Sequence, residues 1–342
     1  THMTVGSGAQ LTLNGSLSEG GFDKTGSGRL VLSGTGAECP LGLAFKGGTT
    51  EVKTEAAFGT RVDALNRVTM QGDTLEIRSA DGAELVFDQD VALAAPTATN
   101  ALILKSETPA TFKSLKLEAG AIVKRGPAKL TLEVENGDYL TRGIGSITGT
   151  LGNYNIPNEL RFNTDGTAPA QGYAGLTIAE GELCVKPSNP EETPLVNAAS
   201  AIMVGPRLYE GVANPTLTID HVYFNANMGN GIKTFIGYSL NDAAVVMLEP
   251  TLRVVNGATY YCDTMEMASS AYNPALSARP TMIVEDATVQ ATWQLGLGFN
   301  CGQGGNAAVV RGRHAKFVCP MLSVSGVTHA DFSNSVLRAQ AD

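Results

Sequence analysis

Lys24-Thr25-Gly26-Ser27-Gly28-Arg29-Leu30-Val31-Leu32 and Lys124-Arg125-Gly126-Pro127-Ala128-Lys129-Leu130-Thr131-Leu132 carry Lys, Gly, Leu and Leu at identical offsets, 100 residues apart. In each copy a glycine-containing turn leads into a short run whose alternate residues are apolar, the period of a strand with one side turned inward. The second copy resumes, after a longer excursion over 133–174, in Gly175-Leu176-Thr177-Ile178-Ala179-Glu180-Gly181-Glu182-Leu183-Cys184-Val185. That stretch reads as strand, glycine turn, strand. Similar short strands are expected at Leu11–Leu13, Leu75–Ile77, Leu85–Phe87 and Leu115–Leu117. Strands so short and so closely spaced form rungs or blades, with no room for the helices of βαβ units.

A different repeat follows. Pro215-Thr216-Leu217-Thr218-Ile219, Pro250-Thr251-Leu252-Arg253-Val254 and Pro280-Thr281-Met282-Ile283-Val284 share a Pro-Thr-apolar-x-β-branched core, at steps of 35 and 30 residues. Proline at the first position of a strand gives up no ladder hydrogen bond that matters. Further rungs are expected at Ala308–Val310 and over Leu322–Asp331. Steps of this size are those of stacked solenoid coils. The expected fold is therefore all-β, a parallel β-solenoid. The stretch from Lys186 to Pro194 holds three prolines and two acids, which favour an exposed connection. Residues 187–199 are read either as a linker between two solenoid segments, 4–186 and 200–342, or as a loop on one continuous solenoid. Thr1-His2-Met3 reads as a cloning scar and not as a targeting segment.

The pattern Lys24-x-Gly-x-Gly-x-Leu-x-Leu-Ser33-Gly34 resembles the autotransporter-associated β-strand repeat of bacterial passenger domains. The second copy resembles it too, through Lys124-x-Gly126, Leu130-Thr131-Leu132 and Gly175-x-Thr177-Ile178-x-x-Gly181-x-Leu183-x-Val185. The likeness covers about residues 10–60 and 110–186; residues 133–174 are longer than the family pattern and are expected to protrude. It implies a right-handed parallel β-helix that is secreted or displayed on a bacterial surface. It further implies a non-catalytic role as an adhesin, passenger stalk or glycan-contacting module, with a polysaccharide or host surface glycan as partner. The later half resembles the repeat less. Leu217-Thr218-Ile219-Asp220-His221-Val222-Tyr223-Phe224-Asn225-Ala226-Asn227 looks like a generic β-helix rung, with Asn in its turns.

Composition agrees with many strands and tight turns. Charged residues are only 17% of the chain, hydrophobic residues reach 43%, and there are 39 glycines. A net charge of −9 argues against nucleic acid as the main partner, since phosphate neutralisation needs clustered Lys and Arg. No apolar run is long enough to insert in a bilayer as a helix. Five widely spaced cysteines, Cys39, Cys184, Cys262, Cys301 and Cys319, imply no disulfide framework and are read as small buried hydrophobes. An open solenoid must cap its ends, so a homo-oligomer or continuation into a longer solenoid is expected.

The candidate chemistry is sparse. Arg311-Gly312-Arg313-His314-Ala315-Lys316 places two arginines on one side of a strand, a cationic patch suited to the carboxylates or sulfates of an acidic glycan. His221 and Tyr223 are expected to face the same side from earlier coils. These six residues, Arg311, Arg313, His314, Lys316, His221 and Tyr223, are the candidate ligand contacts. The alternative function is a polysaccharide lyase or glycoside hydrolase, in which a cation neutralises a uronate and a Lys, Arg, His or Tyr takes its α-proton. Asp220, Asp263 and Glu266 would then have to converge with the cluster. No Gly-x-Ser-x-Gly elbow is present. Cys301, His314, Cys319 and His329 are ligand types for zinc, but their spacing matches no compact knuckle, and no cofactor or metal is expected. Tyr260, Tyr261 and Trp293 are expected as exposed aromatics able to stack on sugar rings, although a lone tryptophan more often sits in a core.

Overall fold

The computed structural model describes residues 1–18, 20–34, 37–38, 41–59, 68–71, 74–94, 102–119, 122–141, 175–198, 201–206, 214–227, 233–238, 249–267, 279–298, 307–324 and 327–339. They form a right-handed parallel β-helix with three faces. The first face opens with His2–Thr4, Phe22–Thr25, Leu43–Phe45, Val68–Met70, Val91–Ala94 and Leu115–Ala119. One corner later in each coil comes the second face, from Gln10–Leu13, Arg29–Leu32, Thr49–Val52, Thr74–Ile77, Leu102–Ser106 and Ile122–Arg125. In the earliest coils the third side holds only Leu17–Ser18, Ala37–Glu38 and the 3-10 turn Glu55–Phe58. From Leu85–Phe87 to Val327–Ser333 it is one sheet of nine parallel strands. Among the described residues no helix is long and apolar enough to cross a membrane.

The expected short strands are present, some with slightly wider bounds, for example Thr74–Ile77 and Ala307–Arg313, while Leu322–Asp331 is divided between Met321–Val324 on the second face and Val327–Ser333 on the third. Each coil lies on the next in parallel, in register through most of each rung. Thr216, Thr251 and Thr281, the residues after the three prolines, stand directly above one another on the third face. The amides of Thr251, Thr281 and Val309 donate to the carbonyls of Pro215, Pro250 and Pro280 at 2.8, 2.8 and 2.9 Å. Each proline thus keeps the one group the ladder needs from it, its acceptor. Across 187–194 the third-face ladder passes without a gap from Glu182–Pro187 to Thr216–Asp220. One apolar core runs from Phe22 to Cys319. In its first half the inward rings of Phe22, Phe45, Phe58, Phe87 and Phe112 follow one another at centroid distances of 6.2, 6.1, 5.1 and 4.8 Å. Only Phe87 and Phe112 are register partners, and their rings stack, whereas the earlier pairs meet tilted.

The two Lys-x-Gly copies are the same corner used at different places. Lys24 is the penultimate residue of a first-face strand and Lys124 of a second-face strand. Both lysines point inward and are fully buried. The Lys24 ammonium donates to the carbonyls of Gly26 and Gly28 in its own turn and Gly47 in the next coil. The Lys124 ammonium donates to Arg125 and Gly126 at 2.8 Å and to Glu180 of the next coil at 3.1 Å. Three donors meet three carbonyls that the turn would otherwise leave unpaired. The glycines serve the same corner: Gly26 and Gly126 have φ of 82° and 79°.

Two results follow. A Cβ on Gly126 would lie 2.3 Å from the Ser106 carbonyl oxygen, so Gly126→Ala should cost at least about 2 kcal/mol in urea unfolding. Burial pulls the Lys124 ammonium down to about 7, against the opposing pull of the Glu180 carboxylate. The unfolded chain, with an ordinary lysine, then binds more protons above pH 7, so this group's contribution to stability rises from about pH 7 to about 10. Relative to Lys124→Met, wild-type unfolding free energy should gain up to about 1.4 kcal/mol per pH unit across that window.

Candidate functional site

Arg311 and Arg313 lie on the strand Ala307–Arg313 of the third face. Ala308, Val310 and Gly312 face the core, which leaves both arginines exposed and roughly 7 Å apart along the strand. Gly312 is required between them. A Cβ there would come within 2.8 Å of the Phe332 ring and 3.2 Å of Phe317, whose rings meet edge-on at 5.3 Å. In the adjacent coils Arg311 is flanked by Ile283 and Asp331, and Arg313 by Glu285 and Ser333. The Arg313 guanidinium is 3.7 Å from the Glu285 carboxylate. A shallow, open depression is lined by Glu285, Arg311, Gly312, Arg313, Asp331 and Ser333. Two cations therefore alternate with two carboxylates, which is a patterned surface and not a bare cationic cleft.

His314 is next to Arg313 but turns the corner out of the third face. There the chain repeatedly enters the left-handed region, at His221 (φ 54°), Asn256 (56°), Asp286 (50°), His314 (49°) and Asn334 (50°). These are residue types that tolerate this conformation better than other side chains do. They stack from coil to coil as a polar ladder. His221 Nδ1 is 2.7 Å from the Asn256 carbonyl and its Nε2 is 3.3 Å from the Thr193 hydroxyl. Asn256 donates to the Asp220 carboxylate at 2.7 Å. His314 Nδ1 is 2.9 Å from Asp286 Oδ1, and its Nε2 is 3.4 Å from Asn334 Nδ2. The two candidate histidines thus share a corner, three coil steps or about 14 Å apart.

Lys316 and Tyr223 are on the other side of that corner. They share an outward column of the first face with Thr259 and Thr288 between them. Burial, with the nearby Tyr261 hydroxyl, raises the Tyr223 phenol above its ordinary value. The six candidates are thus divided among the third face, the corner and the first face. Arg311, Arg313, His314 and Lys316 follow one another along one coil, with His221 and Tyr223 three coils away. Of the carboxylates, Asp220 belongs to the corner ladder, Asp263 accepts from Thr292 at 2.8 Å, and Glu266 is buried on the second-face part of its strand.

The remaining candidates divide by burial. Cys184, Cys262 and Cys319 are buried free thiols, and burial raises all three, Cys184 to about 11. Cys39 and Cys301 lie outside the described residues, as does the glycine-rich stretch 302–306. No cluster of three or more His, Cys, Asp or Glu suited to a metal exists among the described residues. Tyr260 is corrected: it is fully buried, with its hydroxyl 2.8 Å from that of Thr234 and its ring on Phe224. Trp293 is 61% exposed. Alternation could not place it, because the strand carries an irregularity at that point.

No family model, curated protein or solved structure matches this chain. The class defined by the fold is the right-handed parallel β-helix.

The corner ladder has a direct consequence. His314→Asn should preserve stability, whereas His314→Val, β-branched at a left-handed position, should lower it by about 1–2 kcal/mol. Thermal and urea unfolding of the two variants checks this.

Proposed function

We propose that this protein is a non-catalytic β-helix of a secreted or surface-displayed bacterial protein, of the autotransporter-passenger type, that contacts an acidic polysaccharide or host glycan. The observation that carries the reading is the Arg311–Arg313 pair, exposed on a flat sheet in a shallow depression. Arg313 already has Glu285 as a partner, whereas Arg311 has no ion pair among the described residues. A planar guanidinium in that position offers two parallel donors to a uronate carboxylate or a sulfate. The flanking Glu285 and Asp331 accept from sugar hydroxyls and limit binding to anions spaced to fit. The Lys-x-Gly corners support the passenger-type assignment, since they occur in that repeat's order of residues.

A second reading is favoured by the Asp286–His314 pair. A carboxylate on Nδ1 orients an imidazole as a base, and this one adjoins Arg313, so a lyase acting on a uronate has the outline of its groups here. The side chains are 53% and 56% exposed, however, and His314 Nε2 faces Asn334. Such a position suits a corner better than proton transfer.

Retention on immobilised uronate and sulfated polymers tests the first reading. Arg311→Ala with Arg313→Ala should weaken binding at least about tenfold, two charge-assisted contacts being lost. Undiminished retention of the double variant would overturn it. Release of unsaturated ends from a uronic-acid polymer, abolished in the fold-preserving His314→Asn, would establish the lyase instead.

A further inference from the structure

We propose that the outer surface where the first and second faces join, around Trp293, is a stacking subsite for a neutral sugar ring, on a different face of the coil from the arginine pair. It deepens the glycan-contact reading and rests on a glycan being the ligand, not on the arginine pair. The strand Thr288–Leu297 runs through both faces, as does Thr259–Met267 beneath it. They pair from Thr259 with Thr288 to Cys262 with Ala291, and again from Thr264 with Gln294. Between these stretches Asp263 stands opposite two residues, Thr292 and Trp293. That is a β-bulge, a device that re-aims side chains.

Both bulge residues are exposed, while Ala291 before them and Leu295 after them fill the core. Trp293 therefore serves no packing role in the interior, and it is the chain's single tryptophan. Beside it a line of polar groups is already held in place. Thr292 donates to Asp263 at 2.8 Å, and Asn227 Nδ2 donates to Thr292 at 3.3 Å. The Asn227 amide donates to Asn225 Oδ1 at 3.0 Å, and Asn225 Nδ2 donates to Asn197 at 3.1 Å. Tyr261 shares the Asn225 column, and its ring centroid is 6.2 Å from that of Tyr223. Its register partner Gln290 is three residues from Trp293, roughly 10 Å along the strand.

This arrangement has the two components that sugar recognition needs. An exposed indole accepts the C–H side of a pyranose, and fixed carboxamide and carboxylate groups exchange hydrogen bonds with its hydroxyls. Of the residues named around Trp293, only Asp263 is charged, and its sign repels uronates and sulfates. The ligand class is accordingly a neutral hexose or pentose within a glycan.

A sole tryptophan makes the test direct, because its emission reports on this spot alone. Neutral cello-, manno-, xylo- and galacto-oligosaccharides are titrated against the whole protein while fluorescence and acrylamide quenching are followed. At least one should give a saturable shift to shorter wavelength and reduced quenching. Calorimetry with the same sugar should then show binding weakened at least about tenfold in Trp293→Ala and reduced in Asp263→Ala, but unchanged in Arg311→Ala. The subsite is overturned if no sugar in the panel alters the emission, or if calorimetric binding survives Trp293→Ala. Uronate retention that depends on Arg311 and ignores Trp293 would leave the arginine reading standing while this one falls; binding of neutral sugars alone would do the reverse.

Discussion

A chain that winds into a narrow prism must turn a corner at the end of every short strand without leaving a buried main-chain group unpaired. Everything else in this molecule depends on meeting that condition. Along the faces it is met by the parallel ladder, in which each amide finds a carbonyl of the neighbouring coil. At the corners the ladder is interrupted, and side chains have to complete it. Lys24 and Lys124 do so from inside, each ammonium matched to three carbonyls, the third belonging to the next coil. An amine here is a fastener between coils, and desolvation of its charged form is the cost of closing the turn.

The later coils solve the same problem from outside. At the corner leading out of the third face, His221, Asn256, Asp286, His314 and Asn334 adopt the left-handed backbone that the turn demands, and their polar side chains bond to one another or to the adjacent coil. Histidine chemistry is thereby absorbed into architecture. A charge cluster on the second face has a similar explanation. Glu51 and Glu76 are stacked in register and nearly buried, yet Arg29 bridges both at 2.6 and 3.0 Å. Burial alone would raise the Glu76 carboxyl, but Arg78, Lys105 and Arg29 together hold it below its usual value.

With inward positions filled by the core and corners taken by ladders, recognition is left to outward columns of side chains spaced about 4.8 Å from coil to coil. Such surfaces are broad and shallow. They suit extended ligands that touch several residues at once, and the arginine pair and the bulged corner are both of this kind. They also differ in sign and chemistry, one ionic and one aromatic with carboxamides.

Alternation and punctuation in the chain were enough to predict strands, stacking and the all-β class, because both are local: Leu30 and Leu32, or Leu130 and Leu132, declare an inward side whatever surrounds them. The same locality explains why the 100-residue recurrence marked a corner and not a coil, for Lys-x-Gly specifies a turn and is indifferent to which face precedes it. The Pro-Thr strands were recognisable as a set, yet their vertical alignment on one sheet required the whole winding number of the solenoid. Arg311 and Arg313 were rightly placed on one side of one strand, whereas their carboxylate neighbours come from strands about 20 to 30 residues away and could not be read from spacing. Trp293 and Tyr260 mark the limit most clearly. Strict alternation carries no notice of a bulge, and a single extra residue opposite Asp263 turned Trp293 to water, whereas Tyr260, before the bulge, faces inward with Cys262 and is sealed beside Phe224.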